Sequence, residues 1–320
     1  ETPLGGLDGG APVRLVGYQT DAAGRTWFEV QRDDLRGWLP ASAVGLAGRD
    51  PLALGASGRP VAAAVAGKGF WATYDLLDRA SPEAIVETMR ANGLTHLYLQ
   101  VGRSNLGFYG GPGLDRLLPV AHAGGIAVVA WVYPFLKDTT ADVNLTVQAA
   151  RYVSPDGQRP DALAADVEEN TGVEEVHAYG QLVRAMLGDD YPLVVATYPP
   201  ETPRGRTYPF AVVARSWNVI APMDYYHRPG RAYGADEAYH YVARSIELIR
   251  ERAGRPVAVA PIGQAYGMQW PNETGPTNPD GEETDAMLRA ARESGAVGIS
   301  FFEWAHATAP QWRAVGAFRW

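Results

Sequence analysis

The chain has 320 residues, of which 46% are hydrophobic, so it is long enough to bury a large core in one or two domains. Its net charge of -8 argues against nucleic acid as a partner, because phosphate binding requires a clustered surplus of Lys and Arg. The absence of Cys excludes disulfides and a Cys nucleophile, and no stretch approaches the roughly 20 apolar residues of a membrane span.

Short strands separated by turns occupy residues 12–46. They are rich in Val, Tyr, Trp and Phe, which predicts a small antiparallel barrel. Two of them carry Trp27-Phe28-Glu29-Val30 and Gly37-Trp38-Leu39-Pro40-Ala41-Ser42, and these resemble recurring strands of the bacterial SH3-like domain. We therefore expect an SH3-like module over residues 1–46. The resemblance implies either contact with a cell wall or a structural role against the main domain.

A linker is predicted over residues 47–60, which hold three Gly and two Pro without a hydrophobic period. From residue 61 onwards, apolar strand-like runs alternate with amphipathic segments. The eight runs are GKGFWATYD, THLYLQVG, IAVVAWVYP, DALAADVE, PLVVATYP, NVIAPMDYY, PVAVAPIGQAYG and VGISFFEWA. Nearly continuous apolar strands are typical of a parallel sheet that helices cover on both faces.

The segments between these runs begin and end with residues that are typical of helix termini. In the first, Ser81 is a predicted N-cap and Gly93 follows the predicted end. In the longest, residues 235–254, apolar residues recur at helical spacing until Gly254. Eight strand and helix units over residues 61–320 predict a closed (β/α)8 barrel, an α/β fold preceded here by the small all-β module.

In such a barrel the working residues lie at the carboxyl ends of the strands and in the loops that follow. The predicted ends supply aromatic side chains around a few acids, a composition typical of a carbohydrate-binding cleft. Besides Lys68 and Thr197, these positions are Tyr74, Gln100, Arg103, Trp131, Tyr133, Asp166, Glu168, Tyr198, Asp224, Tyr225, Tyr226, Gln264, Tyr266, Glu303 and Trp304.

Two acids end the fourth run. Because side chains alternate along a strand, Ala162, Ala164, Asp166 and Glu168 share the face towards the barrel interior. Asp166 is then deeper and Glu168 nearer the mouth, with Cα atoms roughly 7 Å apart. Burial and like-charge repulsion would raise a pKa in this pair, as a general acid requires. The alternative is that both acids pair with Arg103 or Lys68 and only fill the barrel top; Glu169 is predicted to be solvated.

The same stretch resembles the fourth-strand motif of the chitinase-like glycoside hydrolases, D-G-x-D-x-D-x-E. Asp161, Asp166 and Glu168 stand at matching places, whereas Ala162 replaces the Gly and Ala164 replaces the middle Asp. The family's sixth-strand motif M-x-Y-D is matched by Met223 and Tyr225, with Tyr226 in place of the Asp. Its eighth strand ends on a Trp beneath the sugar, for which Trp304 is the candidate.

The resemblance implies roles for these residues. Glu168 would protonate the leaving glycosidic oxygen, Asp166 would orient the acetamido group of the substrate, and Tyr225 would steady that group. The acetamido carbonyl would then attack the anomeric carbon, which requires an N-acetylated amino sugar. The predicted substrate-binding residues are Tyr74, Gln100, Arg103, Trp131, Tyr133, Tyr198, Gln264, Tyr266 and Trp304.

Two further hypotheses remain open. In the first, Glu168 works with Asp224 as base or nucleophile on a different glycan. The strand-seven acid of the commonest retaining barrels is absent, since only Gln264 stands there. In the second, the barrel binds a glycan without cleaving it, which the missing middle Asp favours.

The expected partner is a polysaccharide or oligosaccharide, with possible cell-wall contact through the SH3-like module. No cofactor or metal is expected, because the six His show no metal-ligand spacing. The predicted location is secreted or in the cell envelope of a bacterium. No leader peptide is recognised, and since the chain begins at Glu1 the sequence does not distinguish a cleaved leader from a trimmed one.

Overall fold

The computed structural model describes residue 11 and residues 13–21, 25–40, 43–44, 61–227, 234–267 and 278–320. The predicted linker over residues 47–60 therefore lies outside the described residues, as do Ala41 and Ser42 of the second SH3-like strand. Among the described helices, none is both long enough and apolar enough to cross a membrane.

The N-terminal part is an antiparallel sheet of three strands among the described residues. These strands are β1 (Arg14–Thr20), β2 (Thr26–Arg32) and β3 (Leu35–Pro40), in that order. Trp27 pairs with Pro40 and Val30 with Gly37, so the two Trp-containing strands are neighbours. Phe28 and Val30 are buried in the same apolar cluster as the barrel's outer layer. The antiparallel strands are confirmed, whereas their closure into an SH3-like barrel remains a prediction.

The rest of the described chain forms a closed parallel barrel, as predicted. Its strands are β4 (Gly67–Ala72), β5 (His96–Arg103), β7 (Ala127–Tyr133), β8 (Ala162–Asp166), β9 (Leu193–Thr197), β10 (Val219–Asp224), the broken strand β11 (Ala258–Val259) and β12 (Ile262–Gln264), and β13 (Gly298–Phe302). A short strand, β6 (Gly107–Phe108), pairs antiparallel with β5. The barrel closes where β13 pairs with β4, with Gly298 opposite Gly67.

The seventh predicted strand is interrupted around Pro261. Proline has no backbone N–H to donate to a neighbouring strand, so the ladder breaks there. The flanking segments still pair with β10 on either side of the break. The carbonyl of Pro261 accepts a hydrogen bond from the Ser300 amide at 3.0 Å, so the broken strand keeps its place in the barrel.

Helices cover the outside of the barrel. They are α1 (Leu76–Arg79), α2 (Pro82–Ala91), α3 (Gly111–Ala123), α4 (Thr139–Ala150), α5 (Val173–Leu187), α6 (Pro203–Arg206), α7 (Phe210–Ser216), α8 (Ala235–Ala253), α9 (Gly281–Glu293) and α10 (Ala309–Ala317). The predicted helix start at Ser81 and the predicted helix end at Gly254 are confirmed. Ser81 accepts a hydrogen bond from the Ala84 amide at the start of α2, and Gly254 ends α8 in the left-handed conformation.

Alternating side chains divide the apolar residues into two layers. Leu163, Ala165 and Val167 belong to the large cluster between strands and helices, whereas Ala162 and Ala164 belong to the cluster inside the barrel. The inward and outward faces predicted for β8 are therefore confirmed. Since both layers are closely packed, the open end of the barrel is where a ligand has access.

Candidate active site

A cleft of about 840 Å³ opens at the carboxyl ends of the barrel strands. It lies where the fold places functional residues in this architecture. The predicted residues that line it are Gln100, Arg103, Trp131, Tyr133, Asp166, Glu168, Tyr198, Tyr225 and Tyr266. The structure thus brings together most of the side chains singled out from the strand ends.

Asp166 and Glu168 are the two carboxyl groups among the described residues that line this cleft. Asp166 is only 8% exposed, and its Oδ1 atom has no hydrogen-bond partner among the described residues. Burial, reinforced by the charge of Glu168, raises the pKa of Asp166 well above its usual range. Burial also raises the pKa of Glu168, against a smaller lowering by the Tyr133 hydroxyl. The pair therefore retains a proton at a pH where an isolated carboxyl has lost it.

The backbone that carries Glu168 is fixed by tyrosines from the next strand and its loop. The Tyr198 hydroxyl donates to the carbonyl oxygen of Glu168 at 2.8 Å, and the Tyr208 hydroxyl donates to that of Val167 at 3.0 Å. These bonds satisfy carbonyls that have left the strand ladder. They hold the acid in one position without using its carboxyl group.

Glu169 was predicted to be solvated, and its side chain is exposed. It nevertheless has a defined contact, because the Tyr133 hydroxyl donates to its Oε1 atom at 3.0 Å. Tyr133 therefore lies between the two glutamates, and their charges add to burial in raising its pKa. Glu169 supports the cleft wall rather than standing apart from it.

Aromatic rings form the floor of the cleft. The Trp71 ring stacks on Tyr98 at 3.9 Å and meets the edge of Trp131 at 5.0 Å. Phe302 lies 6.0 Å from both Trp131 and Tyr225. Such a floor offers flat apolar faces on which a sugar ring can stack. Trp71 and Phe302 were missed by the sequence analysis, although each lies in an apolar run that was predicted to be a strand.

Three predicted binding residues lie outside the cleft lining. Trp304, expected beneath the sugar, turns away in the loop after β13 and packs on Trp312 at 4.9 Å; Phe302 takes the place at the cleft. Tyr74 packs against Tyr109 at 5.6 Å. Gln264 is fully buried and makes paired hydrogen bonds to the backbone of His227 at 3.0 and 3.1 Å, so it joins two loops instead of meeting a ligand.

Lys68 does not pair with the acids. It is buried near the carboxyl end of α10, where its Nζ donates to the carbonyls of Asn92, Val315 and Phe318. Arg103 lines the cleft, but no ion pair within 4.0 Å joins it to a described acid. The alternative in which Asp166 and Glu168 are neutralised by these two cations is therefore not what the structure shows.

Asp224, the second carboxylate of one hypothesis, points away from the cleft. Its neighbours Met223 and Tyr225 line the cleft, so Asp224 faces the helices and is fully buried. Burial raises its pKa well above the usual range, and the Ser245 side chain of α8 lowers it to a smaller extent. Alternation along β10 directs Asp224 to the outer layer, so the structure does not bring it to the cleft where a catalytic group would act.

We expect Asp224→Asn to change turnover by no more than about twofold, because a group without access to the cleft contributes nothing to the chemistry. The pKa of Asp224 is higher in the folded protein than in the unfolded chain. The free energy of unfolding of the parent therefore falls as pH rises above the unfolded-state pKa, which is near 4. Melting curves from pH 4 to 8 should therefore show the variant gaining on the parent as pH rises, by at most about 1.4 kcal/mol per pH unit. A hundredfold loss of turnover would restore the two-carboxylate mechanism.

A bulge in β5 brings Arg103 to the cleft. The pairing with β7 shifts between Gln100 and Gly102. A Cβ atom added at Gly102 would meet the outer-layer side chain of Leu145 at 2.7 Å, so this residue faces outwards. Without the extra residue, position 102 rather than 103 would share the inward face with Gln100. The sequence placed Arg103 at the cleft, but the bulge that puts it there carries no clear sequence signal.

The loop after β9 contributes residues that the sequence analysis missed. Thr202 and Arg204 line the cleft at the start of α6, and Thr73 lines it after β4. Arg204 donates to the Tyr198 hydroxyl at 2.7 Å. A Thr-Pro pair at 202–203 is a helix-start signal, so α6 was detectable, but its position over the cleft was not.

Among the described residues, no group of three or more His, Asp or Glu side chains is arranged as metal ligands.

Comparison with known proteins extends the fold assignment. No family model matches the sequence, and no curated protein matches it. Among solved structures, a chitinase from Chromobacterium violaceum ATCC 12472 shares 15% identity, with a TM-score of 0.59 over 79% of this chain and 100% of that one. The Bacillus cereus spore cortex-lytic enzyme SleL shares 13% identity, with a TM-score of 0.58 over 79% and 74%.

A third similar structure is a xylanase and α-amylase inhibitor protein, XAIP-I, solved with trehalose. It shares 13% identity, with a TM-score of 0.53 over 78% of this chain and 95% of that one. Identities this low establish the architecture and not the activity. The chain therefore has the chitinase-like (β/α)8 barrel fold.

Proposed function

We propose that this protein is a glycoside hydrolase that cleaves a polysaccharide containing N-acetylated amino sugars. The observation that carries the proposal is the pair of carboxyls at and just after the end of β8, buried Asp166 and half-buried Glu168, within a cleft floored by aromatic rings. Burial raises the pKa of both. The similarity in fold to proteins named as a chitinase and a spore cortex-lytic enzyme supports the same substrate class.

Glu168 is the proton donor in this proposal. It is nearer the cleft mouth than Asp166, and its position suits proton transfer to the glycosidic oxygen as the bond to the anomeric carbon breaks. Asp166, deeper in the cleft, orients the acetamido group so that its carbonyl oxygen bonds to that carbon. Water then bonds to the anomeric carbon as the bond from that carbon to the acetamido oxygen breaks, and Glu168, now a carboxylate, takes up the proton that the water loses. Tyr225, which lines the cleft after β10, steadies the acetamido group.

The arrangement of the acids favours this substrate-assisted route over a two-carboxylate mechanism. In the latter, two carboxyls flank the scissile bond. Asp166 and Glu168 instead lie on the same side of one segment, at the end of β8 and just after it, and Asp224 is turned into the outer layer. No second carboxyl among the described residues lines the opposite wall of the cleft. This arrangement supports a nucleophile that comes from the substrate.

The parent protein should release reducing ends from peptidoglycan or chitin oligomers and not from neutral polysaccharides that lack an acetamido group. Removing the acetyl groups chemically from a cleaved oligomer should lower the rate by about a hundredfold or more, since the attacking carbonyl is lost. A reducing-end assay on matched acetylated and deacetylated oligomers measures this. Equal rates on the two would contradict the substrate-assisted route but leave a glycosidase possible.

A glycan-binding protein without hydrolytic activity is the second candidate. Ala164, where the family motif has an acid, favours it, and XAIP-I shows that a protein named as an inhibitor has a similar fold. This candidate predicts that the parent binds oligosaccharides without releasing reducing ends. The same assay, combined with a binding measurement, separates the two functions.

The N-terminal sheet is proposed to contact a cell wall, with the protein secreted or held in the cell envelope. Trp38 on β3 supports a binding surface there, because its side chain is 40% exposed. Exposed aromatic residues often mark ligand or partner sites. Sedimentation with purified cell walls, comparing the parent with Trp38→Ala, tests this contact.

A further inference from the structure

Arg103 carries a guanidinium group that the described residues leave without a hydrogen-bond acceptor. Its Nε atom is buried and unpartnered, and the group lies over the Tyr133 ring at 4.9 Å and near Phe135 at 6.0 Å. An arginine has five N–H donors, and a buried donor without an acceptor costs free energy. The rings and the β5 bulge fix this group at the cleft surface, where a ligand is the available acceptor.

A second arginine lies on the other side of the acid pair. Arg204 of α6 stacks on the Tyr198 ring at 5.2 Å and makes no ion pair with a described acid. Each arginine thus rests on a tyrosine that also bonds to the loop after β8. Tyr133 donates to Glu169, and Tyr198 donates to the backbone of Glu168. Both cations are therefore held beside the predicted point of cleavage.

The charge of the cleft differs from that of the whole chain. The protein carries a net charge of -8, whereas two of the four charged side chains that line the cleft are the cations Arg103 and Arg204. Burial raises the pKa of the other two, Asp166 and Glu168, and so disfavours their charged forms. Glu169 at the rim offsets part of the positive charge of the two arginines. The cleft is thus less acidic than the protein as a whole, and its two guanidinium groups offer an anionic ligand partners of opposite charge.

We propose that the cleft binds glycans that carry carboxylate groups, with Arg103 as the main contact and Arg204 as a second contact at the mouth. A planar guanidinium forms two parallel hydrogen bonds to a carboxylate, an arrangement that a neutral sugar hydroxyl does not offer. The inference rests on the proposed function in that the cleft is taken to be a glycan site. It adds that the cleft prefers an acidic N-acetylated glycan to a neutral one.

Binding to the Glu168→Gln variant, measured by calorimetry, tests this without requiring cleavage. The ligands are peptidoglycan strands stripped of peptide, which carry lactyl carboxylates, and the same strands after amidation with methylamine. We expect the acidic strands to bind about tenfold or more tightly than the amidated ones, as loss of a charge-assisted hydrogen bond implies. Adding Arg103→Gln should bring this ratio to within about twofold, and Arg204→Gln should lower it by a smaller factor.

Arg206→Gln is the matched control, because Arg206 lies on the same short helix as Arg204 but does not line the cleft. It should keep the parent ratio, and Arg103→Lys should keep only part of it, since lysine retains the charge without the planar group. If Arg103→Gln fails to fold, the ratio of affinities for acidic and amidated strands is measured in Arg103→Lys and Arg204→Gln, and a fall in either supports the inference. Hyaluronan oligomers, with carboxylates on the sugar ring, show whether a uronic acid or a lactyl group is the preferred source.

Equal binding of acidic and amidated strands would overturn the inference, as would an acid preference that survives both arginine substitutions. Absence of binding to any of these glycans would overturn it together with the proposed function. A preference for acidic strands in a protein that releases no reducing ends would leave the inference standing and remove only the hydrolase activity. The two proposals can therefore fail separately.

Discussion

Replacing Glu168 by Gln is expected to lower turnover by about a hundred- to ten-thousandfold while leaving the fold intact. Gln is close to Glu in shape but has no proton to donate to the leaving oxygen. The Tyr198 and Tyr208 hydroxyls bond to the backbone of this loop and not to the carboxyl, so they should hold the variant in the parent position. Initial rates on a glycan that the parent cleaves give the magnitude.

The dependence of this activity on pH provides a second readout. Because burial raises the pKa of Glu168, the parent should remain active above the pH at which an ordinary glutamate loses its proton. Activity should then fall as pH rises through the raised value, and this fall should be missing from the residual activity of Glu168→Gln. Glu169→Gln, one residue away, is the matched control and should cost far less. Undiminished turnover in Glu168→Gln would exclude this residue as the acid.

Asp166→Asn is expected to lower kcat by about a hundred- to a thousandfold with little change in KM. Its carboxyl is needed mainly when positive charge develops on the acetamido group, so its loss affects the transition state more than substrate binding. Steady-state kinetics on one acetylated oligomer separate the two parameters. A rise in KM alone would show that Asp166 only binds the substrate.

Asp161→Asn is the control for this prediction, since it makes the same substitution at the opposite end of the same segment. Asp161 contacts His122 at 2.9 Å and accepts from the Val128 amide at 2.8 Å, far from the cleft lining. We expect it to affect thermal stability more than turnover. An equal loss of kcat in both variants would point to a general disturbance of β8.

Much of the fold followed from the sequence because parallel strands and covering helices leave strong periodic patterns. The acid pair was placed correctly by alternation alone, with Ala162 and Ala164 inside the barrel. The same rule applied to β10 would have turned Asp224 outwards once Met223 and Tyr225 were placed inside. Asp224 was considered as a catalytic group because the family's sixth-strand motif has an acid nearby, two residues further along the chain. Alternation along β10 assigns Asp224 to the outward face instead.

Other features of the site depend on geometry that periodicity does not encode. The strand ends at Phe302, and the direction of the loop after it decides that Phe302 and not Trp304 meets the cleft. Gln264 was equally plausible as a ligand residue, and only the approach of the His227 loop makes it a structural bridge. Arg204 reaches the cleft from a four-residue helix, whose orientation is set by tertiary contacts.

The alanines of β8 also restrict where protons can travel. Below Asp166 the strand continues inwards with Ala164 and Ala162, within a layer that is largely apolar. His96, in the first position of β5, is kept neutral because burial lowers its pKa to about 3. Below Asp166, β8 therefore offers no titratable side chain that could pass a proton inwards, and the mouth of the cleft is the opening through which the carboxyl pair meets solvent. A glycan lying across that mouth would slow proton exchange between the pair and solvent until the product leaves.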